Sequence, residues 1–407
     1  MDKKYWLWLV MAFGAGNRRI WTLMEEIDTP EEAYNILKSG SLDSRLLEKE
    51  VNAIKTTHIE QAESLIEYCE QHKINITCFS DNDYPNSLKT IFNPPCVLFY
   101  LGNIAIAEET VSITVVGTRN PSQYSIEVAK RICADLAKID VTIISGFAVG
   151  LDTVAHDTTL DNKGHTVAVL GCGLDVDYPR GRTGFKYAIA STGAVVTEYL
   201  PGTKPAPYNF PQRNRILSGL GKGTLVIEAG EGSGCLITAE CAIEQGREVF
   251  CIPPANIFDK RYSGAVRLLR DGAVSVYSYL DIVYEYYTVF THKISMLKNP
   301  YESYADTPRN IFDTVKSERK PKKQNLAIDS KAENTEQVIE NTSQNSYENL
   351  TDSQRKIVAV FGKDEEINVD EISDRSGLSI SEILTELTEL EIDGVVTALA
   401  GKQYRLS

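Results

Sequence analysis

Apolar residues recur along this chain with two different periods. Six short runs are apolar almost without a break: 111–116, 141–144, 166–170, 194–197, 224–227 and 248–252. Each is rich in β-branched residues and is closed by glycine, proline or an acidic residue, so each reads as a strand. Segments of helical spacing, such as 126–138, lie between them. Near-continuous apolar strands alternating with helices predict a parallel sheet covered on both faces. Right-handed crossovers then bring every strand's C-terminal loop to one edge. The expected fold class is α/β with a Rossmann-like core, whose ligands bind along that edge.

The flanks differ. Residues 1–75 read as short helices, a small domain of helix-hairpin-helix or SAM-like outline. Gly14-Ala15-Gly16-Asn17 breaks the first helix, and Asp28-Thr29-Pro30-Glu31-Glu32 supplies a cap, a first-turn proline and early acids for another. A helix, Gly-x-Gly turn and helix can offer backbone N–H groups to a DNA phosphate, and serves as often as a packing or partner module. Residues 76–290 hold the core with its lead-in at 76–107. Residues 291–350 are rich in Ser, Asn, Glu and Gln around a basic run at 316–323, and predict a disordered linker. Residues 351–407 recover helical spacing at 353–361, 369–376 and 379–393, then close with two short apolar strands. Three helices and a hairpin describe a winged helix.

Composition narrows this picture. The 407 residues are 43% hydrophobic and 24% charged, as in a soluble protein of two to four domains. Eight scattered cysteines form no CxxC pair and there are five histidines, so no metal site is expected. Cysteines inside apolar runs pack as small hydrophobes in a reducing compartment. Lys3 and Lys4 before the apolar run 5–13 imitate a signal peptide. That run is too short to span a bilayer, and Arg18 and Arg19 follow within an amphipathic pattern, so no membrane association is expected. The net charge of -14 argues mildly against a nucleic-acid partner, but a total says nothing about a local patch.

The strand-end loops carry the candidate chemistry. Gly117-Thr118-Arg119 precedes a helix, where glycine admits an anion, the helix N-terminus favours it, and Arg119 matches phosphate oxygens. A plain turn with a surface arginine is the alternative. Ser145 and Gly146 open a second such loop. Beyond it, Asp152 and His156 are four apart on one helix face. They read more simply as a first-turn acid and a packed histidine than as a catalytic pair. Phe210, with Arg213, Asn214 and Arg215 close behind and Lys204 upstream, places a stacking ring beside phosphate-binding cations. The alternative is a proline-set loop whose arginines pair with Glu198 or Glu228. Ser233 and Gly234 end a further glycine-rich turn before a helix. No Lys-Ser/Thr follows at Walker spacing, and no dinucleotide fingerprint follows Gly117. No catalytic constellation stands out and no cofactor is expected. These residues admit a nucleic-acid binder, or an enzyme acting on a nucleotide, such as a phosphoribohydrolase using Glu198 or Glu228.

Several long motifs occur in order: VVGTRN at 115–120, SGFAVGLDTVAH at 145–156, VAVLGCGLDVDYP at 167–179, TEYLPG at 197–202, FPQRNRILSG at 210–219 and SGCLITAECAIEQGREVF at 233–250. In this the chain resembles the DNA-processing protein A family, also called Smf, closely over 80–282 and loosely at its ends. The resemblance implies a cytoplasmic, homodimeric protein without established catalytic activity. It implies binding of single-stranded DNA and loading of RecA recombinase onto it during natural transformation of competent bacteria. The family's DNA-contacting positions match Arg119, Phe210, Arg180 and Lys204, and its Arg-Asn-Arg motif matches Arg213, Asn214 and Arg215. Arg182, Pro254 and Val266 depart from its usual residues. In 351–407, twelve Asp and Glu face six Lys and Arg, and the third helix carries Glu382, Glu386, Glu389 and Glu391. Phosphates would repel such a helix, so this module is expected to bind protein or to regulate rather than to hold duplex.

Overall fold

In a computed structural model the described residues are 2–287, 289–290, 350–362, 367–378, 382–383, 386–387, 390–391, 395–399 and 403–406. The chain divides into two units, Met1–Thr307 and Pro308–Ser407.

Five helices begin the first unit: α1 (Lys3–Phe13), α2 (Arg18–Met24), α3 (Pro30–Lys38), α4 (Glu48–Thr56) and α5 (Ile59–Gln71). The signal-like run is α1. It is apolar because it is buried: Trp6, Leu7, Trp8, Leu9 and Val10 are all inside, packed on α3, α4 and α5. The Trp8 indole N–H donates to the Thr57 carbonyl at 2.9 Å, which satisfies its one polar atom. Thr29 caps α3 by accepting from the Glu32 N–H at 3.2 Å.

The Gly-x-Gly turn between α1 and α2 faces inward. Asn93 donates to the Gly16 carbonyl at 2.8 Å and Gln212 donates to the Ala15 carbonyl at 3.1 Å. A Cβ at Gly16 would collide with the Gln212 side chain. The turn therefore joins the helical region to the core through its carbonyls, the packing role that was one of the two readings its sequence allowed.

Short helices α6 (Asn86–Lys89) and α7 (Ile106–Glu109) lead into α8 (Gln123–Ala137), α9 (Leu151–Asp161), α10 (Thr183–Thr192), α11 (Asn209–Leu220), α12 (Gly234–Glu244), α13 (Ser263–Arg270) and α14 (Tyr279–Tyr287). The sheet strands are β1 (Asn75–Cys78), β2 (Val97–Gly102), β3 (Val111–Val116), β4 (Val141–Ser145), β5 (Thr166–Val169), β6 (Ala194–Thr197), β7 (Gly223–Val226), β8 (Glu248–Cys251) and β9 (Val274–Ser275). Their order is β1-β2-β6-β5-β4-β3-β7-β8-β9. The strands from β6 to β9 in that order are parallel. All six expected strands form. Three more were not expected: β1 and β2 ahead of the core, with β1 antiparallel to β2 and β2 antiparallel to β6, and β9, parallel to β8. β1 and β2 are short, β2 following Pro94-Pro95, and their pairing is a tertiary matter.

Both faces of β3 are buried, as its unbroken apolar pattern requires. Val111, Ile113 and Val115 pack with residues of α8, α9 and α14. On the other face Thr114 donates to the Leu217 carbonyl of α11 at 2.7 Å. Truncating a buried residue such as Ile113 to alanine costs about 2–5 kcal/mol. The strand order runs outward from β3 in one direction and restarts at β7 in the other. The crevice at the C-terminal ends of β3 and β7 is therefore the topological switch point of the sheet.

In the second unit β10 (Ile367–Asn368), β11 (Val396–Leu399) and β12 (Gln403–Leu406) form a sheet in the order β10-β12-β11. It closes a core with Leu350, Ile357, Ile372, Ile383, Leu387 and Leu390. Helices Asp352–Val358 and Val369–Ser376 are capped by Thr351 and Asn368. The expected helix at 379–393 is described only in part, with Glu382 and Glu391 exposed. Of the expected linker, 291–349 and its basic run lie outside the described residues. No described helix is long and apolar enough to cross a membrane.

Candidate nucleic-acid interface

A pocket of about 240 Å³ occupies the switch point. Its walls are the loop after β3 (Gly117, Thr118, Arg119), the start of α11 (Phe210, Arg213, Asn214) and the start of α12 (Ser233, Gly234). Segments more than a hundred residues apart thus converge, as the parallel sheet requires.

Helix periodicity explains which side chains arrive. The segment holding Phe210 and the arginines is the first half of α11, not a loop. Phe210, Arg213, Asn214 and Leu217 stand at i, i+3, i+4 and i+7, and all four line the pocket. Arg215 is two positions from Arg213 and so lies about 200° around the helix. It turns to the opposite side, where it is buried and makes two 2.7 Å bonds to the Glu198 carboxylate. Its Nε donates to the Asn93 carbonyl at 2.8 Å. Arg215 is therefore withdrawn from the expected phosphate-contacting set.

Arg119 is exposed and Phe210 is half-buried. The guanidinium carbon of Arg119 lies 5.6 Å from the Phe210 ring centroid, within cation–π range. The ring is supported on its other sides. Tyr178 packs at 5.5 Å between centroids, and a Cβ at Gly171 would fall 3.0 Å from the ring.

Arg213 forms the floor. It is 4% exposed and donates to the Val169 carbonyl, while its Nε has no partner. Its guanidinium and the Asp152 carboxylate pass directly over Gly146, where a Cβ would strike both. Asp152 accepts from the Ala148 N–H at 3.2 Å in the first turn of α9. Burial pushes its carboxyl up, and the charge of Arg213 opposes that only in part. His156 is fully buried and shares a 2.7 Å hydrogen bond with the Thr166 hydroxyl. Burial, then the Arg213 charge, pushes it down to about 3. It is a packed neutral histidine, as the sequence suggests. The charged pocket residues are Arg119, Arg213 and Asp152, a local positive balance in a chain of charge -14.

Other expected residues have structural tasks. Ser145 is buried and donates to the Val115 carbonyl at 2.7 Å, tying β4 to β3. Glu228 accepts from the Ser122 N–H at 2.9 Å and its hydroxyl at 2.7 Å, just ahead of α8. The N-terminus of α8 thus already holds a carboxylate, so Gly117 and Thr118 do not present that helix end to a ligand as expected. The open helix end is that of α12, which has no side-chain cap; the Leu236 N–H bonds the Ser233 carbonyl at 3.0 Å, while the Gly234 and Cys235 N–H groups precede the helix's own ladder of bonds. Asn214 holds it in place by donating to the Gly234 carbonyl at 3.1 Å. Glu198 and Glu228, the acids available to a nucleotide-cleaving enzyme, are both engaged internally.

The family model described as DNA recombination-mediator protein A matches residues 75–287, and the DprA winged helix domain model matches 341–402. The chain belongs to the DNA recombination-mediator protein A family. It is 37% identical over 234 residues to DNA processing protein DprA of Bacillus subtilis, covering 58% of this chain and 78% of that one. It is 33% identical over 345 residues to protein Smf of Escherichia coli, covering 84% and 80%. The crystal structure of DNA processing protein A from Streptococcus pneumoniae superposes with a TM-score of 0.51 at 32% identity, over 67% of this chain and 97% of that one.

Within this family framework, Arg180 and Lys204 lie in the loops after β5 and β6, on the same sheet edge but outside the pocket wall. Both are exposed, and no carboxylate pairs with either among the described residues. Tyr178 and Asp152 are the residues that sequence reasoning undervalued. Tyr178 sits inside a family motif, which was the available signal. All eight cysteines are unpaired, and burial pushes the Cys235 thiol in the pocket wall up to about 11.

Proposed function

We propose that this protein is a DNA recombination mediator that binds single-stranded DNA at the β3–β7 switch point, loading RecA recombinase onto it during natural transformation. The observation that carries the reading is the contact of Arg119 with the half-buried ring of Phe210, beside the N-terminus of α12. One phosphate meets Arg119 and a neighbouring one meets the Gly234 and Cys235 N–H groups at the start of α12. The adjacent base stacks on Phe210, a contact tolerant of sequence. Arg213 supplies a fixed positive charge beneath, and Arg180 and Lys204 extend the path along the sheet edge. The reading places the protein in the cytoplasm as a homodimer.

Titration of labelled oligo-dT and its duplex counterpart at two salt concentrations tests this. Preference for the single strand, with affinity falling steeply as salt rises, is the expected result. Equal affinity for duplex, or no retention at low salt, would rule it out. Incubation with nucleoside monophosphates is expected to release no base, since neither Glu198 nor Glu228 is free to act.

A further inference from the structure

A second recess lies where α2 meets the lead-in to the sheet. It encloses about 380 Å³ and is lined by Arg18, Trp21, Phe79, Lys89 and Phe92, with Glu25 as its one carboxylate. We propose that it is a second subsite for the same single strand, in which an unpaired base stacks against the aromatic wall and Arg18 and Lys89 hold the flanking phosphates. The proposal rests on the single-strand reading above.

The wall is rigid. The Trp21 indole N–H donates to the Pro94 carbonyl at 2.7 Å, and its ring meets Phe79 edge-on at 4.6 Å. The rim is exposed. Phe92 keeps 64% of its surface in water, an unusual position for a large aromatic with no polar tip. The Arg18 guanidinium lies 4.2 Å from the Phe92 ring centroid, and Lys89 lies 5.9 Å from that of Phe79. Neither cation pairs with a carboxylate among the described residues. An aromatic wall fixed by hydrogen bonding and rimmed with unpaired cations is the combination that binds single strands without sequence preference. The volume suits a nucleotide-sized ligand.

The two sites share α11. Phe210 lines the first, while Gln212 and Arg215 bond Ala15 and Asn93 beside the second. The docked Gly-x-Gly turn thus fixes α2 beside the same helix that lines the switch point.

The test uses the full chain and a dT oligomer of about sixteen nucleotides. Phe92→Ala is expected to weaken binding about tenfold with the salt dependence unchanged. Arg18→Ala with Lys89→Ala is expected to lower the slope of log affinity against log salt by about 1.4. These positions are exposed or at the rim, and an unchanged melting temperature checks folding. Wild-type affinity and slope in both variants, alongside weakened binding by Arg119→Ala, would overturn the second subsite and leave the central one standing. Failure of the wild-type chain to retain the oligomer would remove both.

Discussion

The guanidinium of Arg119 and the ring of Phe210 meet at 5.6 Å, although one lies in the loop after β3 and the other in the first turn of α11. The pair sets a guanidinium fork against a half-buried ring at one point of the sheet edge. Separate substitutions should therefore produce different signatures. Arg119→Ala is expected to lower the salt slope of single-strand binding by about 0.7. Phe210→Ala is expected to cost about 1–3 kcal/mol with little change of slope. Fluorescence titration across salt concentrations measures both.

Arg215 and Glu198 bear on stability rather than on binding. Glu198→Gln or Arg215→Ala leaves a buried charge unpaired, at a cost of about 3–5 kcal/mol in urea or thermal unfolding. The folded fraction should still bind oligo-dT with an affinity within about twofold of wild type, measured at low temperature. A large specific loss of affinity in the folded protein would return Arg215 to the interface.

Gly146 is the position over which Arg213 and Asp152 cross. Gly146→Ala is expected to push both side chains aside and to destabilise the protein by about 1–3 kcal/mol. Because Arg213 floors the pocket, affinity should fall as well. Melting curves and oligonucleotide titration on the same preparation report the two effects.

His156 gives a pH dependence of defined sign. Its folded pKa, about 3, lies below the ordinary value of 6.5. The unfolded chain therefore binds its proton first as pH falls. Its contribution is constant above about pH 6.5 and is lost progressively toward pH 3, by up to about 1.4 kcal/mol per pH unit. Asp152, whose carboxyl is pushed up by burial, acts in the opposite direction. The readout is thus the difference between wild type and His156→Gln, which share Asp152. Urea midpoints between pH 7.5 and pH 5 should fall more steeply for wild type.

The core strands and the edge where their C-terminal loops gather were legible because they depend on local period and on the handedness of crossovers. Val111, Ile113 and Val115 needed only an apolar run to declare a strand buried on both faces. The cap at Thr29 was equally local. The short runs 75–78 and 97–102 declared nothing, because β1 and β2 exist only through antiparallel pairing with each other and with β6.

The chain's sequence by itself determined which loops line the sheet edge and that an aromatic and several cations reach it. Tertiary structure decided which of those groups remain free. Arg213 and Arg215 are alike in sequence, but helical geometry sends them to opposite sides of α11, and Glu198 occupies one of them. Glu228 fills the α8 N-terminus that the loop after β3 seemed to offer, leaving that of α12 open. The Gly-x-Gly turn is closed by Gln212, almost two hundred residues away. Local pattern is set by neighbours within a few residues, whereas the availability of a charge depends on partners that only the folded chain brings near.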